Sequence, residues 1–228
     1  SLSMGRIVLV TGGARSGKSA FAETDARALD DAARRTSSES GILYVATCEV
    51  HDGEMQDRVR RHRERRPAGW PTLEASSEVG ARLLEATAAM PAPAGVLLDC
   101  VTLLVSACMA RSLKDWDSIS PQEADAVEAE ARREIDALLA AARTVSCPVI
   151  LVTNELGMGL VPEYASGRLF RDVAGRANQL LAAAADEAYL CVSGIPVRIK
   201  PMAEPLDWAA PTLAIPQGNG IGTGKERT

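Results

Sequence analysis

The sequence predicts an α/β protein in which a mostly parallel sheet is flanked by helices and ends in a C-terminal hairpin. Two observations predict this class. Short apolar runs at residues 6–11, 42–47, 96–100 and 148–153 alternate with longer helical patterns, the succession that builds βαβ units. The chain is 46% apolar but only 4% aromatic, so its core is made of Val, Leu, Ile and Ala. That composition suits buried parallel strands covered by Ala-rich helices.

The elements follow in order. Residues 6–11 form an apolar run that stops at glycines, the mark of a buried first strand. A helix is expected over 18–33 and a second strand over 42–47. Residues 53–65 are polar and helical, with Met55, Val59 and His62 along one side, and Gly69-Trp70-Pro71 interrupts them. A helix over 78–90 ends at the Pro/Ala/Gly stretch 91–95, and the strand 96–100 feeds an apolar helix. Ser120-Pro121-Gln122-Glu123 combines a capping box with Pro at the first helical position and opens a helix to about residue 143. The strand 148–153, a polar loop and a helix over 166–184 come next. The runs 187–192 and 197–200 then read as a hairpin around Ser193-Gly194-Ile195-Pro196. Strand order does not follow from this pattern. Residues 1–208 are expected to form one domain, 1–3 to be a tag remnant, and the Gly/Pro/Thr-rich residues 209–228 to be a disordered tail.

Composition excludes several function classes. The net charge is −5, which argues against the whole surface being a nucleic-acid binder. Cys48, Cys100, Cys108, Cys147 and Cys191 contain no Cys-x-x-Cys pair and are odd in number. They read as buried free thiols of a reducing compartment, not as a disulfide framework. The first apolar stretch, residues 7–10, is too short for a signal-peptide core, and the longest, residues 95–110, is interrupted by Asp99 and falls short of a membrane span, so a cytoplasmic location is expected.

Gly12-Gly13-Ala14-Arg15-Ser16-Gly17-Lys18-Ser19 satisfies G-x-x-x-x-G-K-[ST] at every position, after a strand and before a helix. Such a loop lets backbone amides converge on clustered phosphate oxygens without side-chain clashes. The helix start adds its positive end. Lys18 is expected at the β/γ oxygens, and the Ser19 hydroxyl at Mg²⁺. Asp99 ends the strand 96–100, where a carboxylate holds Mg²⁺ directly or through water; the alternative role there is a helix N-cap. The glycine-rich residues 218–225 look similar but have Asn219 at the first Gly position and Glu226 in place of Ser/Thr, so they are not a second loop of this kind.

Arg58, Arg60, Arg61, His62, Arg63, Arg65 and Arg66 crowd together in a short segment. A solvated charged face, a nucleic-acid patch and a phosphate-handling site centred on His62 compete as readings. The third has chemical content: a neutral imidazole can attack phosphorus to form a phosphoramidate. The arginines around it would lower its pKa and stabilise charge on the transferring group.

Taken together, these motifs resemble the bifunctional adenosylcobinamide kinase / adenosylcobinamide-phosphate guanylyltransferase family. The resemblance rests on the loop from Thr11 to Ser19, on Tyr44-Val45-Ala46-Thr47, Asp52-Gly53-Glu54-Met55, Arg58-Val59, His62, Arg66-Pro67 and Trp70. It continues through residues 152–162, Phe170-Arg171-Asp172, Gly175-Arg176, Asn178-Gln179, Ala185-Asp186-Glu187 and Ser193-Gly194-Ile195-Pro196.

The resemblance implies a RecA-like P-loop fold, a homotrimer and two reactions. ATP or GTP phosphorylates the aminopropanol hydroxyl of adenosylcobinamide. GTP then gives GMP to that phosphate, producing adenosylcobinamide-GDP and pyrophosphate, with GMP carried on a histidine that matches His62. Beyond Gly12 to Ser19, the implied nucleotide contacts fall on Ala46, Thr47, Cys48, Arg63, Glu64, Arg65, Arg66, Glu74 and Asp99. Relatives often carry Glu where this chain has Asp99, and the shorter acid favours a water-bridged metal. Glu155 is expected either to meet the corrinoid substrate or act as a base, or else to cap its own loop. Trp70 either stacks on a ligand ring or packs as a buried aromatic. Arg168, Arg171, Asp172 and Arg176 are spaced for ion pairs within one helix. A kinase for another small metabolite, or a nucleic-acid-stimulated ATPase module, is the competing class.

Overall fold

The computed structural model describes residues 5–36, 41–48, 60, 64, 66–67, 69–91 and 93–201. The expected tag remnant, the tail 209–228, and His62, Arg63 and Arg65 lie outside the described residues. Seven strands form one sheet: β1 (Ile7–Gly12), β2 (Gly41–Ala46), β3 (Thr72–Glu74), β4 (Pro93–Asp99), β5 (Val149–Val152), β6 (Glu187–Val192) and β7 (Ile195–Lys200). Their order is β3-β2-β4-β5-β1-β6-β7. Every pairing is parallel except β6 with β7. The described helices are α1 (Lys18–Arg34), α2 (Val79–Ala88), α3 (Val101–Ser112), α4 (Pro121–Thr144) and α5 (Ala165–Ala184).

The central strands read as unbroken apolar runs because both faces of the sheet are covered. Ile7 and Leu9 of β1, Val96 and Leu98 of β4, and Val149 and Leu151 of β5 enter the larger core under α2–α5. The residues between them, Val8, Val10, Leu97, Ile150 and Val152, enter a smaller core with Ala22 and Ala26 of α1. Alternation along each strand therefore fills two cores at once.

Several expectations need correction. The short strand β3 pairs with β2 through Tyr44↔Thr72, Val45↔Leu73 and Ala46↔Glu74, yet its three residues are partly exposed and leave no apolar signature. β4 begins at Pro93, ahead of the expected boundary, because proline is tolerated at the first position of a strand. The hairpin turn is the two residues Ser193 and Gly194, with φ of 52° and 80°, so Ile195 and Pro196 already belong to β7. Two left-handed residues match the twist of the flanking strands. The capping box is formed: Ser120 Oγ accepts from the Glu123 amide, and the Glu123 carboxylate accepts from the Ser120 amide. Of the α5 arginines, Arg171 pairs within the helix, with Asp172 at 3.8 Å, and the other two reach outside it. Arg176 reaches Glu128 of α4, and Arg168 donates to the carbonyls of Pro162 and Glu163.

Candidate nucleotide site

The carboxyl ends of the parallel strands bring most of the described candidate residues to one edge of the sheet. Ala46 at the end of β2 lies in register with Glu74 on one side and Asp99 on the other. β5 separates β4 from β1, whose last residue, Gly12, begins the glycine-rich loop. Ligands of open α/β sheets bind at such an edge.

The loop closes onto the start of α1. Gly17 is the N-cap at φ 88°, and no side chain caps the helix there, which suits an anion at its positive end. Lys18 is 9% exposed, and its Nζ donates to the Gly13 carbonyl at 3.0 Å. The ammonium is thus folded back along the loop, its carbon stem buried. Arg15, at φ 56° and exposed, forms the outer bend. Ser16 Oγ and Thr11 Oγ1 are buried without a hydrogen-bond partner among the described residues. Ser19 is half-buried on the first turn of α1.

The loop glycines are not equivalent. A Cβ on Gly13 would meet nothing within 4 Å, whereas one on Gly12 would lie 2.8 Å from the Cys191 carbonyl oxygen and one on Gly17 2.9 Å from the Gly194 Cα. Only Gly13 among these three faces open space; Gly17 faces the β6–β7 hairpin, and Gly12 faces both β6 and Ser16 Oγ of its own loop, 2.5 Å from the added Cβ.

Around Asp99 the charges interact. Burial pushes the Tyr44 hydroxyl upward, the nearby Asp99 carboxylate adds to the shift, and Arg66 opposes it. The Arg66 guanidinium lies 3.5 Å from the centre of the Tyr44 ring, a cation–π contact. Burial also raises the Cys48 thiol, with smaller contributions from Glu74 and Asp99. Cys100 is raised by burial and by Asp99, while Lys18 lowers it. Ser19 and Asp99 are hard oxygen donors of the kind Mg²⁺ accepts one or two at a time, the rest coming from water and phosphate. The residues present fit that ion. The N-cap of α3 is Cys100, so Asp99 ends its strand and does not cap the helix.

Thr47 is fully buried, and its hydroxyl is committed to the backbone just past β4: it donates to the Cys100 carbonyl and accepts from the Cys100 amide. The network continues from the Cys100 thiol to Thr102, then to Asn154 at 2.6 Å. Asn178 of α5 donates to the Asn154 carbonyl and accepts from Thr153. Sequence reasoning missed Thr102, Asn154 and Asn178 as a set because they come from three distant segments. Glu155 caps its loop, its carboxylate accepting from the Gly157 amide at 2.6 Å while its amide donates to the Gly12 carbonyl. Trp70 is buried, and its indole donates to Asp30 at 2.9 Å. Arg60 and Glu64, on either side of His62 in the sequence, form an exposed ion pair at 3.0 Å.

A glycine-rich loop between a central parallel strand and a helix, with a carboxylate closing a strand at the same edge, defines a P-loop nucleotide-binding protein of α/β class. Residues 8–199 match the family described as cobinamide kinase / cobinamide phosphate guanyltransferase. The chain belongs to that family. It is 42% identical over 196 residues to the bifunctional adenosylcobalamin biosynthesis protein CobU of Salmonella typhimurium, covering 85% of this chain and 99% of that protein. The CobU protein of Escherichia coli is 43% identical over the same shares. The bifunctional adenosylcobalamin biosynthesis protein CobP of Pseudomonas aeruginosa is 37% identical over 202 residues, 87% of this chain and 98% of that protein.

Proposed function

We propose that this chain catalyses two successive transfers in cobalamin biosynthesis. ATP or GTP first phosphorylates the aminopropanol hydroxyl of adenosylcobinamide, and GTP then supplies GMP to give adenosylcobinamide-GDP. The observation that carries the reading is the loop from Gly12 to Ser19, with Lys18 folded along it, in a chain that spans nearly the whole length of its bifunctional relatives.

In the kinase step the loop amides and Lys18 hold the β and γ phosphates while the alcohol oxygen attacks the γ-phosphorus. When bound, Mg²⁺, held by Ser19 and Asp99, neutralises charge on the phosphate oxygens. In the transferase step a nitrogen of His62 attacks the α-phosphorus; a P–N bond forms as the P–O bond to pyrophosphate breaks. An oxygen of the adenosylcobinamide phosphate then attacks the same phosphorus, and the imidazole leaves. Arg63, Glu64, Arg65 and Arg66 line the nucleotide in this scheme, and Arg66 is held at the sheet edge by the Tyr44 ring. Incubation with α-labelled GTP and Mg²⁺ leaves acid-labile, alkali-stable label on the protein, and His62→Ala abolishes it. Label that persists in the variant removes the covalent scheme; phosphorylation of a non-corrinoid alcohol alone makes the chain a kinase of another metabolite.

We also place the protein in the cytoplasm, the setting that suits five unpaired thiols, four of them buried. Among the described residues no helix is long and apolar enough to cross a membrane. A homotrimer is the assembly the reading favours. Val192, Ile195, Val197 and Ile199 form an exposed apolar strip on the hairpin, and Met158, Leu160 and Val161 are exposed on the loop after β5, surfaces of the kind that subunits cover. Sedimentation equilibrium then gives three times the chain mass; a monomer at micromolar concentration ends this part of the proposal.

A further inference from the structure

The β6–β7 turn sits against the phosphate loop, and three separate observations join the two. The Gly194 amide donates to the Ser16 carbonyl at 2.9 Å. The Gly194 Cα fills the space where a side chain on Gly17 would be, while a side chain on Gly12 would meet both Ser16 of the loop itself and the Cys191 carbonyl of β6. β6 lies beside β1 along its length, with Gly12 in register with Cys191. Gly17 is therefore required by the hairpin packed behind it as well as by its left-handed φ, and Gly12 by the loop's own Ser16 together with β6.

We infer that the Ser193–Gly194 turn is a positioning element for nucleotide binding: it fixes the arc of residues 12–17 and thereby the direction of the loop amides. The inference rests on reading Gly12 to Ser19 as the phosphate cradle. The Ser16 carbonyl is held from behind, so the peptide unit it shares with Gly17 is fixed, and that unit's N–H points to the opposite side. A turn displaced by even a fraction of an ångström leaves this peptide free to rotate. Its amide then no longer converges with its neighbours, and an oxyanion meets an array that is not preorganised.

Gly194 has φ 80°, and a Cβ there would meet nothing within 4 Å. Substitution thus perturbs the turn through backbone conformation and not through a clash. The residues rank by their tolerance of the left-handed region: asparagine adopts it, alanine resists it, and a β-branched residue resists it most. Nucleotide affinity falls in the same order.

The test compares Gly194→Asn, Gly194→Ala and Gly194→Val in the full chain, by titration calorimetry with GTP and Mg²⁺ and by steady-state kinetics. The expected result is a graded loss, about tenfold in GTP affinity for the Val variant, with most of it restored in the Asn variant and the KM for the corrinoid substrate unmoved. Thermal unfolding of the ligand-free proteins serves as the internal control. GTP affinity in the Val variant equal to that of the parent overturns the inference. So does an equal fall in kcat, both KM values and thermal midpoint, which marks the turn as generally structural. Lys18→Ala separates this failure from failure of the cradle itself. A Lys18 variant with full GTP affinity overturns the phosphate-loop reading, whereas loss there with an unaffected Gly194→Val overturns the turn's role alone.

Discussion

Two strand-to-helix crossings leave the same edge of the sheet and do different things. Between β1 and α1 the chain takes residues 13–17 to turn, with left-handed Arg15 and Gly17. Between β4 and α3 it uses Cys100 alone, in extended conformation. Neither helix has a side-chain cap at its start. At the short crossing the polar groups of Cys100 are consumed internally, its amide and carbonyl both bonded to the Thr47 hydroxyl. At the long one the backbone arches around an opening that Gly13 leaves clear. The length of the crossing decides whether the polar backbone serves a ligand or the protein itself.

This contrast can be broken at either crossing. The largest effect belongs to the long one: Lys18→Ala lowers kcat/KM for both transfers by about 10³-fold, the scale of losing a preorganised charge on a phosphate. Assays of the two half-reactions check it, and a surviving kinase activity contradicts the loop assignment. Asp99→Asn, at the end of β4, keeps the shape and removes the charge. It weakens the Mg²⁺ dependence by about 10–100-fold, read as a shift in the metal concentration giving half-maximal rate; an unshifted curve excludes Asp99 from the metal site. Thr47→Val acts through stability instead. It strands the Cys100 amide and carbonyl in a buried site and costs about 1–3 kcal/mol. Urea denaturation measures this, and an unchanged midpoint would show that the hydroxyl bridge carries no weight.

The phosphate loop was legible because everything it needs is local. Strand, glycines, lysine and helix are consecutive, and each residue type has its own steric or charge requirement. The central strands were legible because two-sided burial forces continuous apolar runs such as Val149-Ile150-Leu151-Val152. β3 was not, because Thr72-Leu73-Glu74 is a short and partly exposed edge; its place is set by β2, not by its own pattern. The Thr47–Cys100–Thr102–Asn154–Asn178 network and the indole-to-carboxylate bond of Trp70 with Asp30 were hidden for another reason. Their partners are far apart in sequence, and a lone threonine or asparagine near a strand end looks like turn chemistry. The hairpin was expected, but nothing in Ser193-Gly194 reveals that the turn packs against Gly17.

The pairing of β1 has a consequence for how the protein is made. This first strand lies between β5 and β6, which follow it far down the chain. Until they emerge, the strand that leads into the glycine-rich loop has no neighbour to pair with, although its residues were translated before theirs. Long-range pairing of this kind folds late and slowly. A chain interrupted before β6 therefore carries an intact signature motif whose strand still lacks one of its two neighbours.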